Sequence, residues 1–413
     1  MSELTTLLIS VLGILLLAFA VRVTVRNVRD LAYATALVGV GLAVSVLGVD
    51  PGIDLSHDLI LLVLLPALIF EGTVELDLRE LWSDLPVVLA LTVVGLPVSV
   101  VVLGWIGQLA FGFPLIIALL FASIILPTDP AAILALFDAF DAPERLAVTM
   151  EGESLFNDGV AIVIFSALFE AFTTASEDPD QPLGGLATAG ELASLGLDIA
   201  VVGGGGILVG AAVGYLAHQT VRRIEDRMAD VLLTVIVAYG SFVLAEHYLG
   251  LSGVLAVVGA GLSVGAHGEI HPEGSGRREI IESTWAVAAF FVSTLLYVLI
   301  GAAVDVGDVL RHADLVVLAL VLVVGVRALV TYPLVSVVNR FIENPVPGYC
   351  QNIFVLGGLH TVVPVALVLS LPDGMPHVEE IRTMVFGVAV VGILVQGTLM
   401  PIALRVSGLA GTV

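Results

Sequence analysis

The feature that most constrains this chain is a succession of apolar segments, each about as long as a membrane's hydrocarbon layer is thick. A spanning helix needs about 20 predominantly apolar residues, and such segments follow one another along nearly the whole 413-residue chain. Hydrophobic residues make up 58% and charged residues only 13%, too few polar side chains to cover a soluble protein of this size. The sequence therefore predicts an all-α polytopic membrane protein with a single membrane domain, residues 1–413.

We predict thirteen transmembrane helices. Their expected positions are 4–20, 31–49, 58–72, 86–110, 113–137, 148–173, 194–217, 229–248, 251–266, 284–303, 314–339, 349–371 and 381–404. The distribution of arginine sets their orientation, because basic residues are enriched in cytoplasmic loops. With the N-terminus outside and the C-terminus inside, twelve arginines fall in the inner loops and tail, and only Arg311 and Arg382 fall outside.

The charge balance excludes some partners. The chain has 15 basic residues, all of them arginine, against 38 acidic residues, and its net charge is −23. No basic patch for nucleic acid is present, and the acidic composition resembles that of proteins from salt-loving archaea, whose surfaces stay hydrated in concentrated salt. The single cysteine, Cys350, excludes an intramolecular disulfide.

Two predicted spans are interrupted at comparable places in the two halves of the chain. Pro127 and Pro130 interrupt the fifth span, and the twelfth contains the pair Gly357 and Gly358 followed by Pro364. Proline cannot donate the helical hydrogen bond, and irregular backbone at membrane depth survives only inside protein or beside a wet cavity. Paired broken spans indicate a transporter built from two inverted-topology repeats; simple kinked helices are the alternative.

The sixth span carries an unusual cluster of polar side chains. Ser154 and Asp158 are four residues apart and so share one helix face. A carboxylate with hydroxyl and carbonyl oxygens suits a hard cation such as Na⁺ or Li⁺. Burial disfavours the ionised form of a carboxyl, so that a proton competes for the same site. One carboxylate that holds either a cation or a proton is the minimal device for exchange.

Glu153 and Asn157 form a second pair four residues apart, rotated from the first. A buried glutamate is costly unless it is paired. Arg327 is the one arginine left inside a predicted span. We therefore expect Glu153 and Arg327 to pair across helices, each offsetting the other's desolvation, in a structural role outside transport itself.

Further oxygen ligands are expected near the first break. Thr128 and Asp129 lie between the two prolines, where Asp129 could cap and neutralise the positive end of a half-helix, coordinate the ion, or do both. Glu71 ends an apolar run and is either an interfacial carboxylate or an acid lining the approach to the ion.

At four places the sequence resembles the monovalent cation:proton antiporter family, the sodium/proton exchangers of the archaeal NhaP and animal NHE type. The matching stretches are EGESLFNDGVAIV (151–163), LLPALIFEG (64–72), PTDPAA (127–132) and GGLHTVVPVALVLSLP (357–372). This resemblance implies a homodimer in the lipid membrane whose broken helices, spans 5 and 12, cross. It also implies a dimerisation subdomain (4–72 and 229–303), an ion-transporting core subdomain (86–173 and 314–404) and a linking helix (194–217).

The resemblance also implies residue roles. Asp158 would be the shared carrier of ion and proton; Ser154, Thr128, Asp129 and Glu71 would contribute oxygens to transported Na⁺; Glu153 would bridge to Arg327; and Asn157 would orient the core. Many relatives carry arginine where this chain has His360. His360 is therefore either a structural polar group or a pH-sensitive substitute for that cation.

The expected activity is the exchange of Na⁺ or Li⁺ for H⁺ across the cytoplasmic membrane by alternating access, in the service of pH homeostasis. Neutral Asn157 beside Asp158 leaves one titrating carrier, which favours electroneutral one-for-one exchange. A K⁺/H⁺ antiporter of the same fold is the alternative, and a cation channel would need a continuous pore. No enzyme motif such as His-Glu-x-x-His or Gly-x-Ser-x-Gly is present in the spans, and no cofactor is expected.

Overall fold

The computed structural model describes residues 3–26, 31–129, 133–134, 136–137, 140, 142–177, 189–221, 226–268 and 277–409, and within them the regular secondary structure is helical. The α-helices in chain order are α1 (Glu3–Val25), α2 (Tyr33–Val46), α3 (Leu65–Glu75), α4 (Leu78–Leu89), α5 (Leu96–Phe111), α6 (Leu115–Ile125), α7 (Glu144–Glu177), α8 (Ala189–Val221), α9 (Arg227–Val243), α10 (Gly253–Gly268), α11 (Arg277–Ala303), α12 (Val306–Arg311), α13 (Ala313–Val338), α14 (Gly348–Leu356), α15 (Val362–Leu369) and α16 (Val378–Val406). Short π-helical stretches precede α3, join α4 to α5 and follow α9.

Helices lie at each of the predicted apolar segments, and the segments predicted to be broken are interrupted after α6 and between α14 and α15. Within the described part of the chain, eight helices are long and apolar enough to cross a membrane. The all-helical membrane fold is therefore confirmed. The total of thirteen spans, their orientation and the division into subdomains stay predictions.

Several helices extend beyond the predicted spans, and the start of α4 differs most from the sequence prediction. Helix α4 begins at Leu78, well before the predicted start at residue 86, because Asp77 caps it: its carboxylate accepts hydrogen bonds from the N–H groups of Arg79 and Glu80. Asp84, which lies between the predicted spans 58–72 and 86–110, is consequently helical and buried.

Glycines allow several helices to pack closely. A Cβ atom built on Gly41 of α2 would lie 2.2 Å from the carbonyl oxygen of Val298 on α11, and one on Gly301 would lie 2.4 Å from that of Val38. Only hydrogen fits at either position, so the backbones of α2 and α11 touch. Such small-residue contacts are the usual means of packing helices in lipid, where hydrophobic burial supplies little driving force between them.

The two interrupted spans meet beside α7. Helix α6 ends at Ile125, and the backbone is not helical from Leu126 to Asp129. The N–H of Asp129 donates to the carbonyl of Leu359, in the unwound stretch between α14 and α15, over 2.7 Å. The unwound stretches thus satisfy part of each other's backbone, as buried irregular backbone requires. Pro130, the second proline of the predicted break, lies outside the described residues.

Candidate ion-binding site

The polar cluster predicted in the sixth span lies on α7, in the interior of the protein. Glu153, Ser154, Asn157 and Asp158 are all buried, and Asp158 retains 8% of its surface. Ser154 and Asp158 line a large cavity on one side of the helix, whereas Glu153 and Asn157 line a much smaller one on another side, together with Arg327. The two pairs therefore face different surroundings, as their rotation on the helix predicts.

The large cavity has a volume of about 420 Å³ and lies between α3, α7 and α11. Five carboxylates line it: Glu71, Glu75, Asp129, Glu151 and Asp158. Glu75 is the last residue of α3 and Glu151 lies two turns into α7, so the approach to Asp158 is acidic. Clefts lined by one sign of charge concentrate the opposite ion, and this cavity accordingly favours cations.

Thr128 joins the first break to α7. The Ser154 hydroxyl donates to the carbonyl oxygen of Thr128 over 2.5 Å, and the Asn157 amide donates to its hydroxyl oxygen over 3.2 Å. Thr128 is itself buried. The structure therefore joins Thr128 to Ser154 and Asn157. Asp129, the next residue of the same unwound stretch, lines the large cavity together with Ser154 and Asp158.

Asp129 has different partners. One of its carboxylate oxygens, Oδ2, accepts hydrogen bonds from the hydroxyl of Tyr297 at 2.9 Å and from that of Thr361 at 2.7 Å. Thr361 is the residue before α15, so this carboxylate stands at the positive N-terminal end of that half-helix. The expected capping of a half-helix that begins at Pro130 concerns residues outside the described part of the chain.

The ion pair expected between Glu153 and Arg327 is present. Arg327 Nη2 lies 2.8 Å from Glu153 Oε2, and the two side chains are only 10% and 6% exposed. Arg327 also donates through Nε to the carbonyl of Phe354 over 2.9 Å. The arginine thus neutralises a buried carboxylate on α7 and satisfies a carbonyl in the last turn of α14, where a cation is favoured.

His360 bridges the two unwound stretches. Its Nδ1 lies 3.0 Å from the carbonyl oxygen of Pro127, to which a protonated Nδ1 donates. The ring is 1% exposed, and within the described residues its Nε2 has no hydrogen-bond partner. This geometry favours the structural interpretation of His360; the pH-sensitive one stays a prediction.

The sequence analysis assigned no role to four residues that line the cavity or bind Asp129: Glu75, Glu151, Tyr297 and Thr361. Glu75 follows Glu71 by four residues, so the shared helix face was a usable signal. Glu151 and Thr361 lie within the quoted motifs but were assigned no role. Tyr297 sits in an otherwise apolar span 168 residues from Asp129, and nothing in its local sequence indicates the contact.

This geometry defines a class of protein. Two discontinuous helices whose unwound stretches meet near a buried carboxylate, beside an acidic cavity in a helical membrane protein, are typical of a secondary transporter. The chain belongs to the sodium/hydrogen exchanger family: the family model described as "Sodium/hydrogen exchanger, transmembrane" matches residues 7–406.

Relatives and solved structures agree with this assignment. The chain is 32% identical over 383 residues to the Na⁺/H⁺ antiporter ApNhaP of Aphanothece halophytica, covering 93% of this chain and 71% of the relative. It is also 32% identical over 403 residues to the Na⁺/H⁺ antiporter NhaP of Pseudomonas aeruginosa, covering 94% and 88%. The fold matches the sodium proton antiporter MjNhaP1 of Methanocaldococcus jannaschii with a TM-score of 0.73 at 19% identity, over 99% and 98% of the two chains.

Proposed function

We propose that this chain exchanges Na⁺ for H⁺ across the membrane in which it resides, and that Asp158 carries the two ions in turn. The observation that carries this proposal is the position of Asp158: buried on α7, lining an acidic cavity, and next to the unwound stretch of a broken helix. The membership of the family supports the same reaction, and so does the Na⁺/H⁺ antiport for which the relatives ApNhaP and NhaP are named.

The proposed cation ligands are oxygens. Asp158 supplies the negative charge, and Ser154 and Thr128 supply neutral oxygens beside it. The Ser154 hydroxyl donates its proton to a carbonyl, which leaves its lone pairs available to a cation. Glu71 lines the same cavity and is proposed to act on the approach path, directly or through water. Asp129 is proposed as a ligand in states in which its hydroxyl partners release it.

The exchange follows from competition at one carboxylate. A cation is held while Asp158 is ionised, and a proton displaces it by neutralising the charge, so the two ligands exclude each other. The cavity reaches the C-terminal end of α3, which the predicted orientation places in the cytoplasm. We propose that the core subdomain (86–173 and 314–404) then slides against the dimerisation subdomain (4–72 and 229–303). This movement would carry the occupied ion site from one side of the membrane to the other.

Proteoliposomes with an imposed pH gradient and an internal pH dye test the proposal. Addition of Na⁺ should dissipate the gradient for the native chain and for D314N, which removes an exposed carboxylate of α13, but not for D158N. Parallel additions of Li⁺ and K⁺ decide between a sodium-type exchanger and the K⁺/H⁺ alternative. A D158N variant that elutes as folded protein and exchanges Na⁺ at the native rate would contradict the proposal.

The competition also predicts a pH dependence. At pH values where Asp158 begins to bind a proton, each further unit of acidification should raise the half-saturating Na⁺ concentration by up to about 10-fold, because protonated carrier no longer binds cation. One-for-one exchange predicts in addition that clamping the membrane potential leaves the initial rate unchanged. A half-saturating concentration that stays constant from alkaline to acidic pH would refute competition at a single carboxylate.

A further inference from the structure

Tyr297 joins parts of the molecule that the proposed transport cycle must separate. It lies on α11, which packs on α2 and α3, all within the proposed dimerisation subdomain. Its hydroxyl donates to Asp129, in the unwound stretch of the proposed core subdomain, over 2.9 Å. The tyrosine is 4% exposed and lines the inner part of the cavity with Asp158. Its bond therefore lies at the ion site itself.

A second hydrogen bond crosses between the same subdomains. His57 precedes the π-helical start of the α3 segment, and its ring Nδ1 lies 2.9 Å from the carbonyl oxygen of Ala366 in α15. A carbonyl only accepts, so Nδ1 carries the proton in this contact. Glu75, near the cavity entrance, is at the opposite end of α3. The crossing bonds thus lie at the inner end of the cavity and beyond it, away from the entrance.

We propose that Tyr297 is a positioning residue for transport: by holding Asp129, and together with the His57–Ala366 contact, it stabilises the cavity-open conformation. This inference rests on the proposed function for its two subdomains. A core that slides past α3 and α11 has to break both bonds, because each has one partner on either side of the sliding surface. Tyr297 thereby sets the fraction of protein molecules whose cavity is open to the cation. In those molecules one carboxylate oxygen of Asp129 accepts its hydrogen bond.

The size of the effect follows from the chemistry of the bond. A hydrogen bond to a charged acceptor changes a two-state equilibrium by roughly 10- to 100-fold. Water in the cavity can replace part of the lost interaction at Asp129, and Thr361 still donates to the same oxygen. The lower end of that range, about 10-fold, is therefore expected when the Tyr297 hydroxyl alone is removed.

A cysteine reporter measures this equilibrium without any transport. The background is C350A, which removes the single native cysteine. The reporter is A366C, whose position is fully buried in the present conformation and whose contact with His57 uses the backbone carbonyl, which the substitution retains. In lipid nanodiscs both faces of the protein are accessible. The rate of maleimide labelling is expected to follow the fraction of protein in which α15 has separated from the segment before α3 that contains His57.

Y297F should raise the labelling rate about 10-fold, and H57A should raise it as well. Two matched controls each lose a tyrosine hydroxyl bond within one subdomain: Y239F, whose hydroxyl bonds the Val63 carbonyl, and Y332F, whose hydroxyl bonds Asn352. Both controls should label at the parental rate. An unchanged rate in Y297F, or an equal rise in the controls, would overturn the proposal.

Transport kinetics give a second readout that a purely structural role would not produce. In proteoliposomes Y297F should raise the half-saturating Na⁺ concentration on the cavity side by a larger factor than it lowers the maximal rate, because fewer molecules are competent to bind. Loss of maximal rate with an unchanged half-saturating concentration would overturn the proposal. The labelling result stands even if the chain proves to exchange a different cation, so the failure of either proposal can be told from that of the other.

Discussion

The buried pair of Glu153 and Arg327 allows the sharpest prediction about stability. E153L leaves Arg327 buried without its counterion, although its Nε still donates to the carbonyl of Phe354. R327M leaves the Glu153 carboxylate without its counterion and also removes the donor to Phe354. The double variant, E153L with R327M, removes both charges and leaves only the carbonyl without a donor. The three variants therefore differ in which buried groups they leave without a charged or hydrogen-bonding partner.

Their costs can be ordered from the structure. Removing one partner of a buried ion pair costs about 3–5 kcal/mol, and both side chains here are at most one-tenth exposed. Leaving the buried Phe354 carbonyl without its donor costs about 1–3 kcal/mol more. E153L should then cost about 3–5 kcal/mol and R327M about 4–8 kcal/mol, whereas the double variant should cost only about 1–3 kcal/mol.

The order of stability can be measured by thermal unfolding of the purified variants in detergent, with size-exclusion chromatography to follow the loss of monodisperse protein. The unfolding temperature should fall from the native chain through the double variant and E153L to R327M. The recovery of stability in the double variant relative to R327M is the decisive comparison. A double variant less stable than both single variants would show that the two losses simply add, and it would refute the assignment of a coupled, desolvated pair.

Two further predictions concern packing and a second buried carboxylate. G41V should cost about 1–3 kcal/mol and lower the unfolding temperature, because the new side chain forces α2 away from the Val298 carbonyl. The control G39V should leave the unfolding temperature unchanged, since a Cβ atom at Gly39 meets no atom within 4 Å. Equal effects of the two variants would refute the close contact between α2 and α11. D84A should cost about 1–3 kcal/mol, less than E153L, because the Arg145 side chain that it abandons is 31% exposed and can reach water. An equal or larger loss in the same unfolding assay would contradict that reasoning.

The local sequence was enough for the helices and their interruptions. Long apolar runs predict spanning helices because lipid offers no partner for an unsatisfied backbone group. Pro127 and the pair Gly357 and Gly358 mark the breaks through chemistry that acts within one turn. The burial of Asp158 and the pairing of Glu153 were inferable for a similar reason: a charged group within an apolar run has few alternatives.

Contacts between distant segments were harder to infer. Asp84 falls between two predicted spans because a charge beside an apolar run usually marks the membrane boundary. It is buried nonetheless, and Arg145, 61 residues away and partly exposed, donates hydrogen bonds to its carboxylate. Asp129 was expected to cap its own half-helix, to coordinate the ion or to do both, and the sequence did not predict that Tyr297 and Thr361 donate hydrogen bonds to its carboxylate. Neither partner has a local pattern that indicates the contact.

The sequence by itself determined which groups would be costly to bury and where the helices would form and stop, because hydropathy and backbone chemistry act over a few residues. Apart from the Glu153–Arg327 pair, in which a single arginine was left inside a predicted span, only the tertiary structure decided which distant group satisfies each buried one. That choice depends on how the helices cross, and hydrogen bonds act over about 3 Å, a distance on which spacing along the chain gives no information.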